Sequence, residues 1–292
     1  MFGRQSRNGW PLTRIKSAMP NLLMLRAAIL STVALGVCAC TPSTPDQPEP
    51  KNEETASTST IVPPAPKVPM DKAFAADDST DVLEFKYSYP AAAAAVPDIV
   101  ASLTDDMKTN KASALKAAKS DQASAKESGF PFHTHSYQTQ WTVKAATPRL
   151  LGLLAESYFY TGGAHGMTGY KTLLWDKVAK REVSVDDMTI SRNAFATVIT
   201  PAFCKRLNDA RAEKRGAPVA SADSEFDRCV DPLKQTIVPI SKDGKTVDQL
   251  LIVIGPYEAG PYAEGSYEIA LPVDRALLST IKPEWRDAFA KG

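Results

Sequence analysis

Leu150-Leu151-Gly152-Leu153-Leu154-Ala155-Glu156-Ser157-Tyr158-Phe159-Tyr160 runs directly into Thr161-Gly162-Gly163-Ala164-His165-Gly166. The first stretch is nearly continuous in apolar residues and predicts a strand more deeply buried than its neighbours. The second, with three glycines, predicts a loop. The chain returns as a strand over 170–175 and turns near 177–180. Working towards the N-terminus, Thr147-Pro148 reads as a turn. Tyr137, Thr139, Trp141 and Val143 alternate with Gln138, Gln140, Thr142 and Lys144, the period of a half-buried strand. Val96, Ile99, Val100, Leu103 and Met107 repeat at helical spacing, with Pro97 in the first turn and Gly129 as the stop. Before that helix, Leu83, Phe85, Tyr87 and Tyr89 alternate with Glu84, Lys86 and Ser88 in a strand that Pro90 ends.

Towards the C-terminus, 193–215 is helical in pattern, and Pro201 is expected to kink it or to open a second helix capped by Thr200. Residues 216–228 read as a loop and a short helix carrying Cys229. Strands follow at 237–240 and 250–254 around a Lys242-Asp243-Gly244-Lys245 turn. Tyr267, Ile269 and Leu271 alternate in a last strand, and a last helix starts at Asp274 and breaks at Pro283. Helices that do not alternate regularly with strands give an α+β class of mixed and antiparallel sheets with packed helices. Two intimately associated subdomains are expected, at 82–147 and 148–292.

The first forty residues contain no Asp or Glu but carry Arg4, Arg7, Arg14, Lys16 and Arg26. An uncharged, mostly apolar run over 27–37 follows, too short for a span of roughly 20 residues. This is the pattern of a secretory signal over 1–39. Met19 and Met24 offer alternative starts to Met1. The run ends Val37-Cys38-Ala39-Cys40-Thr41. It resembles a lipobox, with small Ala39 before Cys40 and Val37 three before it, and implies that Cys40 is acylated. No Asp follows to act as an inner-membrane retention signal. In a Gram-negative host that implies the outer membrane, facing the periplasm. Export leaves Cys204 and Cys229, which in an oxidising compartment read as a disulfide, with a pair of free thiols as the alternative.

Residues 41–69 are dense in Pro, Ser, Thr, Glu and Asp, which offer little to bury, and a disordered tether is expected over 40–81. Removing the first forty residues leaves 29 basic against 33 acidic side chains. Eight of those acids and three lysines lie in 41–81, so 82–292 stands at +1. A near-neutral folded part gives no reason to expect nucleic acid or an anionic surface as partner.

Two segments, 158–166 and Gly255-Pro256-Tyr257-Glu258-Ala259-Gly260-Pro261-Tyr262-Ala263-Glu264-Gly265 leading into Leu271-Pro272, resemble the extracytoplasmic domain of RsiV-type anti-sigma factors (DUF3298). The strand–helix–strand unit at 82–145 resembles the smaller domain that precedes it (DUF4163), also found before the catalytic domain of the peptidoglycan deacetylase PdaC. Together the resemblance covers nearly all of 82–292. In RsiV-type proteins the region captures lysozyme, which implies a protein–protein surface without chemistry of its own. Nothing here matches the PdaC catalytic domain. A lipobox stands where a spanning helix would be and no sigma-binding domain is seen, so the regulatory role is not carried over.

Tyr160, Gly162, Gly163 and His165 form the first candidate site: glycines beside an imidazole let a ligand approach, and equally serve a turn. Tyr257, Glu258, Tyr262 and Glu264 form the second. Aromatic rings beside carboxylates suit sugars, or a rigid connector whose tyrosines pack on the core. His133 and His135 have the His-x-His spacing of some metal sites, without an evident third ligand. Ser157 and Ser266 lack a nucleophile elbow, and no phosphate loop or cofactor motif is present. The expectation is a non-catalytic cell-envelope lipoprotein, held to the membrane by its lipid, that binds peptidoglycan or a lysozyme-like protein. The alternative is a metal- or His-dependent envelope hydrolase using His165 with Glu258 or Glu264. Its mark would be His165 and the 257–264 loop lining one cleft with a polarised carboxylate or with His133 and His135; the two lying apart and packed would favour binding or a pure scaffold.

Overall fold

Six strands, β1 (Phe74–Asp77), β2 (Leu83–Tyr89), β3 (His135–Ala146), β4 (Leu150–Tyr160), β5 (Met167–Asp176) and β6 (Arg181–Val183), lie side by side in chain order in the computed structural model. The structure describes residues 73–219 and 224–290. All neighbours are antiparallel except β2 and β3, which are parallel. A parallel pair needs a crossover. It is supplied by the short α1 (Ala91–Ala94) and the long α2 (Pro97–Ser128), which Gly129 ends in the left-handed conformation at φ 71°. The buried Ile99, Leu103 and Ala118 of α2 join Leu83, Phe85, Tyr87, Tyr89, Trp141, Leu151, Leu153 and Ala155 in one core. Trp141 Nε1 donates to Tyr87 Oη (2.7 Å), which donates in turn to Asp106 of α2 (2.9 Å). The chain keeps its polar atoms satisfied inside this apolar layer.

The opposite face of the sheet is covered only at one end. There an antiparallel sheet packs, made of β7 (Thr236–Ile240), β8 (Gln249–Ile254) and β9 (Tyr267–Pro272). Ser241, just past β7, donates its N–H to the Lys144 carbonyl (3.1 Å), and Thr236 donates to the Tyr170 carbonyl (3.2 Å). Leu150, Leu154 and Leu174 meet β7–β9, the short α3 (Val185–Met188) and the α4 helix (Arg192–Arg215) in a second core with Met188, Phe195, Ile199, Phe203 and Leu207. The chain closes on α5 (Arg275–Ser279), capped by Asp274, and a 3-10 turn that buries Trp285. The fold is α+β, as expected.

Four local expectations change. The segment expected as tether ends early: β1 pairs with β2, and Phe74 stacks on Tyr89 with centroids 4.6 Å apart. One ring among small residues gave no alternation to read. Pro201 does not split its helix. Phe195, Ile199, Phe203 and Leu207 form one buried stripe across it, and Thr200 bonds back to the Ala196 carbonyl (2.7 Å) instead of capping. No helix carries Cys229 among the described residues, which show turns there. Cys204 and Cys229 do form the disulfide, with Cα atoms 5.4 Å apart. The 147/148 boundary falls in the short turn between β3 and β4, which are neighbours in one sheet. The signal segment, Cys40 and most of the tether lie outside the described residues. Among the described residues no helix is long and apolar enough to cross a membrane.

Candidate functional site

The β4–β5 turn and the β8–β9 connection come together. Gly162 and Gly163 take φ values of 91° and 97°, which glycine adopts without strain, and the turn they make holds His165 away from the sheet. Tyr160 Oη donates to the Gly163 carbonyl (3.1 Å) and closes the loop on its own strand. Facing it, Tyr257 sits at φ 69°, unusual for a residue with a Cβ and therefore imposed by its surroundings.

Three rings meet at this surface. His165 stacks on Tyr262 with centroids 3.6 Å apart and planes 15° from parallel. Its Nε2 lies 3.1 Å from Tyr257 Oη, and Nδ1 lies 3.0 Å from the Gly166 carbonyl. Tyr257 and Tyr262 are 5.6 Å apart and tilted. The rings are not core residues: His165 is exposed, and Tyr257 keeps 46% of its surface open. Imidazole, two phenols and a flat stacked face can bind by stacking and hydrogen bonding. They bring together the two loops singled out in the sequence.

The carboxylates behave differently. Glu264 turns to α4: Arg215 Nε donates to Oε1 (2.7 Å), Arg215 Nη2 to Oε2 (3.1 Å), and Tyr267 Oη also donates to Oε2. Burial pushes the Glu264 carboxyl up, but the Arg215 and Tyr267 hydrogen bonds outweigh it and hold it below its ordinary 4.5. Burial and the neighbouring Glu264 push the Tyr267 phenol up. Lys214 donates to the Ser266 carbonyl (2.7 Å) and lies over the Tyr267 ring at 4.1 Å. Fully buried Arg211 donates from Nε to the Ala259 carbonyl (2.9 Å) and from Nη2 to the Arg228 carbonyl (3.0 Å). Glu264 is therefore the peg of a structural ion-pair network that rivets the β8–β9 connection to α4. The part that Arg211, Lys214 and Arg215 play here escaped the sequence reading, since nothing in it pairs residues about fifty positions apart. Glu258 is exposed and makes no side-chain hydrogen bond to His165 among the described residues.

His133 and His135 do not act together. His133 is exposed ahead of β3, while His135 is buried, with Nε2 3.3 Å from Asp121 of α2 and its ring stacked on Phe132. Among the described residues no three His, Cys, Asp or Glu side chains are grouped to hold a metal ion.

Residues 76–168 match the family model described as deacetylase PdaC, which takes in β2, β3, β4 and the His165 loop. The PdaC-type resemblance expected for the N-terminal part is thereby borne out, over a longer stretch than expected. No curated protein matches the chain. Among solved structures, the chain is similar to a DUF3298 family protein from Pseudomonas aeruginosa PAO1, with 17% identity and a TM-score of 0.44, covering 75% of this chain and 95% of that one. It is also similar to a member of the DUF3298 family from Bacteroides fragilis NCTC 9343, with 15% identity and a TM-score of 0.46, covering 74% of this chain and 94% of that one. The RsiV-type assignment is not confirmed by these comparisons.

Proposed function

We propose that the chain is a cell-envelope lipoprotein, anchored through Cys40, that binds a wall component or a secreted protein such as a lysozyme without chemistry of its own. In a host with two membranes it faces the periplasm from the outer one. The observation that supports binding is the ring cluster: two separate loops, one with backbone glycines and one with a tyrosine at positive φ, converge to present His165, Tyr257 and Tyr262 to solvent. The hydrolase alternative pairs His165 with Glu258 or Glu264 as the carboxylate that orients or assists the imidazole. Glu264 is committed to Arg215 and Tyr267, and the imidazole nitrogens face a phenol and a carbonyl instead. The deacetylase in the matching family's name is not carried over, since the match covers only residues 76–168.

The test is retention of the full chain on immobilised lysozyme and on purified peptidoglycan. One of the two should hold it, and Tyr257→Ala with Tyr262→Ala should weaken that hold by at least tenfold, as removal of a central aromatic pair does. No retention on either sinks the reading. The anchor is tested separately: Cys40→Ala should move the protein out of the membrane fraction, and unaltered membrane retention defeats it.

A further inference from the structure

The face of the six-stranded sheet left open by β7–β9 is not flat. A groove of about 280 Å³ crosses β2, β3 and β4 there, lined by Lys86, Ser88, Gln138, Gln140, Glu156 and Tyr158. The strand register arranges these six side chains in two rungs. Lys86 pairs with Gln138, and Gln138 with Tyr158; Ser88 pairs with Gln140, and Gln140 with Glu156. Three strands make the groove roughly 10 Å wide at a strand spacing of about 4.8 Å. One end of it abuts the His165 loop, because Tyr158 packs against Gly166 so closely that a Cβ there would run into the phenol ring.

The lining is nearly neutral and mixed: polar side-chain tips, open to water at Gln140 and Glu156, stand on a larger share of apolar surface. Lys86 is neutralised by Glu84 at 2.8 Å, and Glu84 also accepts from Ser136 (3.3 Å). Gln138 is oriented: its Nε2 donates to Ser136 Oγ (3.1 Å), which leaves its carbonyl oxygen free to accept. Gln140 and Glu156 make no side-chain hydrogen bond among the described residues. An apolar ligand would strand these groups, at a cost for each. A polyanion would meet Glu84 and Glu156 with no unpaired cation to receive it. A ligand dense in hydroxyls suits the site, because carboxamides offer donors and acceptors together and Tyr158 offers an exposed ring at the edge.

We propose that this groove is a subsite for a neutral saccharide chain, holding one or two sugar rings of a longer glycan that runs out at both ends. It is separate from the ring cluster of the two loops and stands if that cluster binds something else.

The test is calorimetric titration of the full chain, kept in a zwitterionic detergent so that no sugar headgroup competes. The probes are a β-1,4-linked N-acetylglucosamine tetramer and cellotetraose. Saturable binding of either is expected, weakened at least tenfold by Gln138→Ala with Gln140→Ala and by Tyr158→Ala. All these side chains face solvent, so a thermal melt should show the variants folded. Tyr257→Ala should leave saccharide binding within about twofold. Absence of binding by both probes at millimolar concentration overturns the proposal, as does binding that the glutamine pair leaves unchanged.

Discussion

Residues 150–155 and 156–160 belong to one strand, yet they live in different surroundings. The first half is buried on both sides: Leu151, Leu153 and Ala155 join the core under α2, and Leu150 and Leu154 join the core under β7–β9. The second half joins neither core: Glu156 and Tyr158 lose the covering sheet and face water, and Phe159 on the other side of the strand is exposed as well. The sequence follows the change of environment. A strand sandwiched between layers reads as continuous apolar residues, and a strand with one open face shows polar side chains. The open half is where the groove and the His165 loop are found, so the part of β4 that stabilises least is the part free to recognise something.

The contrast is broken most directly by one substitution in each half. Leu153→Ala should destabilise by about 2–5 kcal/mol, because the side chain is fully buried and the layers above and below cannot collapse into the void. Tyr158→Ala, five residues on, should cost no more than about 1 kcal/mol, the range of exposed positions. Urea unfolding of both variants checks this, and equal losses would mean that the two halves are not differently buried.

Removing the layer's covalent tie comes next. Cys204 and Cys229 close a loop with a sequence separation of 25, within the α4 layer that covers the first half of β4. Replacing both with Ser should lower stability by about 3 kcal/mol on the chain-entropy account. The loss should surface as faster hydrogen exchange in β7 and β8, with β2 and β3 under α2 less affected.

Most of the fold was legible because it rests on period. The strands at β2, β3, β4 and β9 and the helix α2 show their burial as regular apolar spacing, and Gly129 marks a stop that the backbone then uses. What escaped depends on partners distant in the chain. Phe74 becomes a strand residue only because Tyr89 lies beside it, and Pro201 is tolerated only because the buried stripe spans it. The site divides in the same way. Three of its rings were named in advance from loop composition. The roles of Glu258 and Glu264 were not legible, since a carboxylate's task is set by the cation it meets, and Arg215 lies 49 positions before Glu264.

That ion pair supplies a smaller, pH-dependent test. Glu264 has a folded pKa held below its ordinary 4.5, so its contribution is fully present above that value and is lost as pH falls through the folded pKa. Glu264→Gln should cost about 2 kcal/mol at neutral pH, the scale of hydrogen bonds to a charged group. The cost should shrink as pH falls below the ordinary 4.5 and through the depressed folded pKa, where the parent protein itself loses the charge. Melting temperatures of both proteins between pH 7 and pH 3 should therefore converge on the acid side; a constant gap would mean that Glu264 acts by shape alone.

The smallest expected change in stability sits where the two halves of the comparison matter most. Gly166 has no Cβ, and the Tyr158 ring occupies the space where one would be. Gly166→Ala must push that ring aside. The atoms in the way are the outer end of a side chain on an open face, so the ring can swing towards solvent at a cost within about 1 kcal/mol, unlike any displacement inside the sandwiched half. The swing would move the aromatic wall of the groove and the start of the His165 loop together. Stability should thus stay near that of the parent while both saccharide binding and partner retention fall. A loss of one without the other would show that the groove and the ring cluster do not share the Tyr158–Gly166 contact, and a large drop in melting temperature would show that the second half of β4 is packed after all.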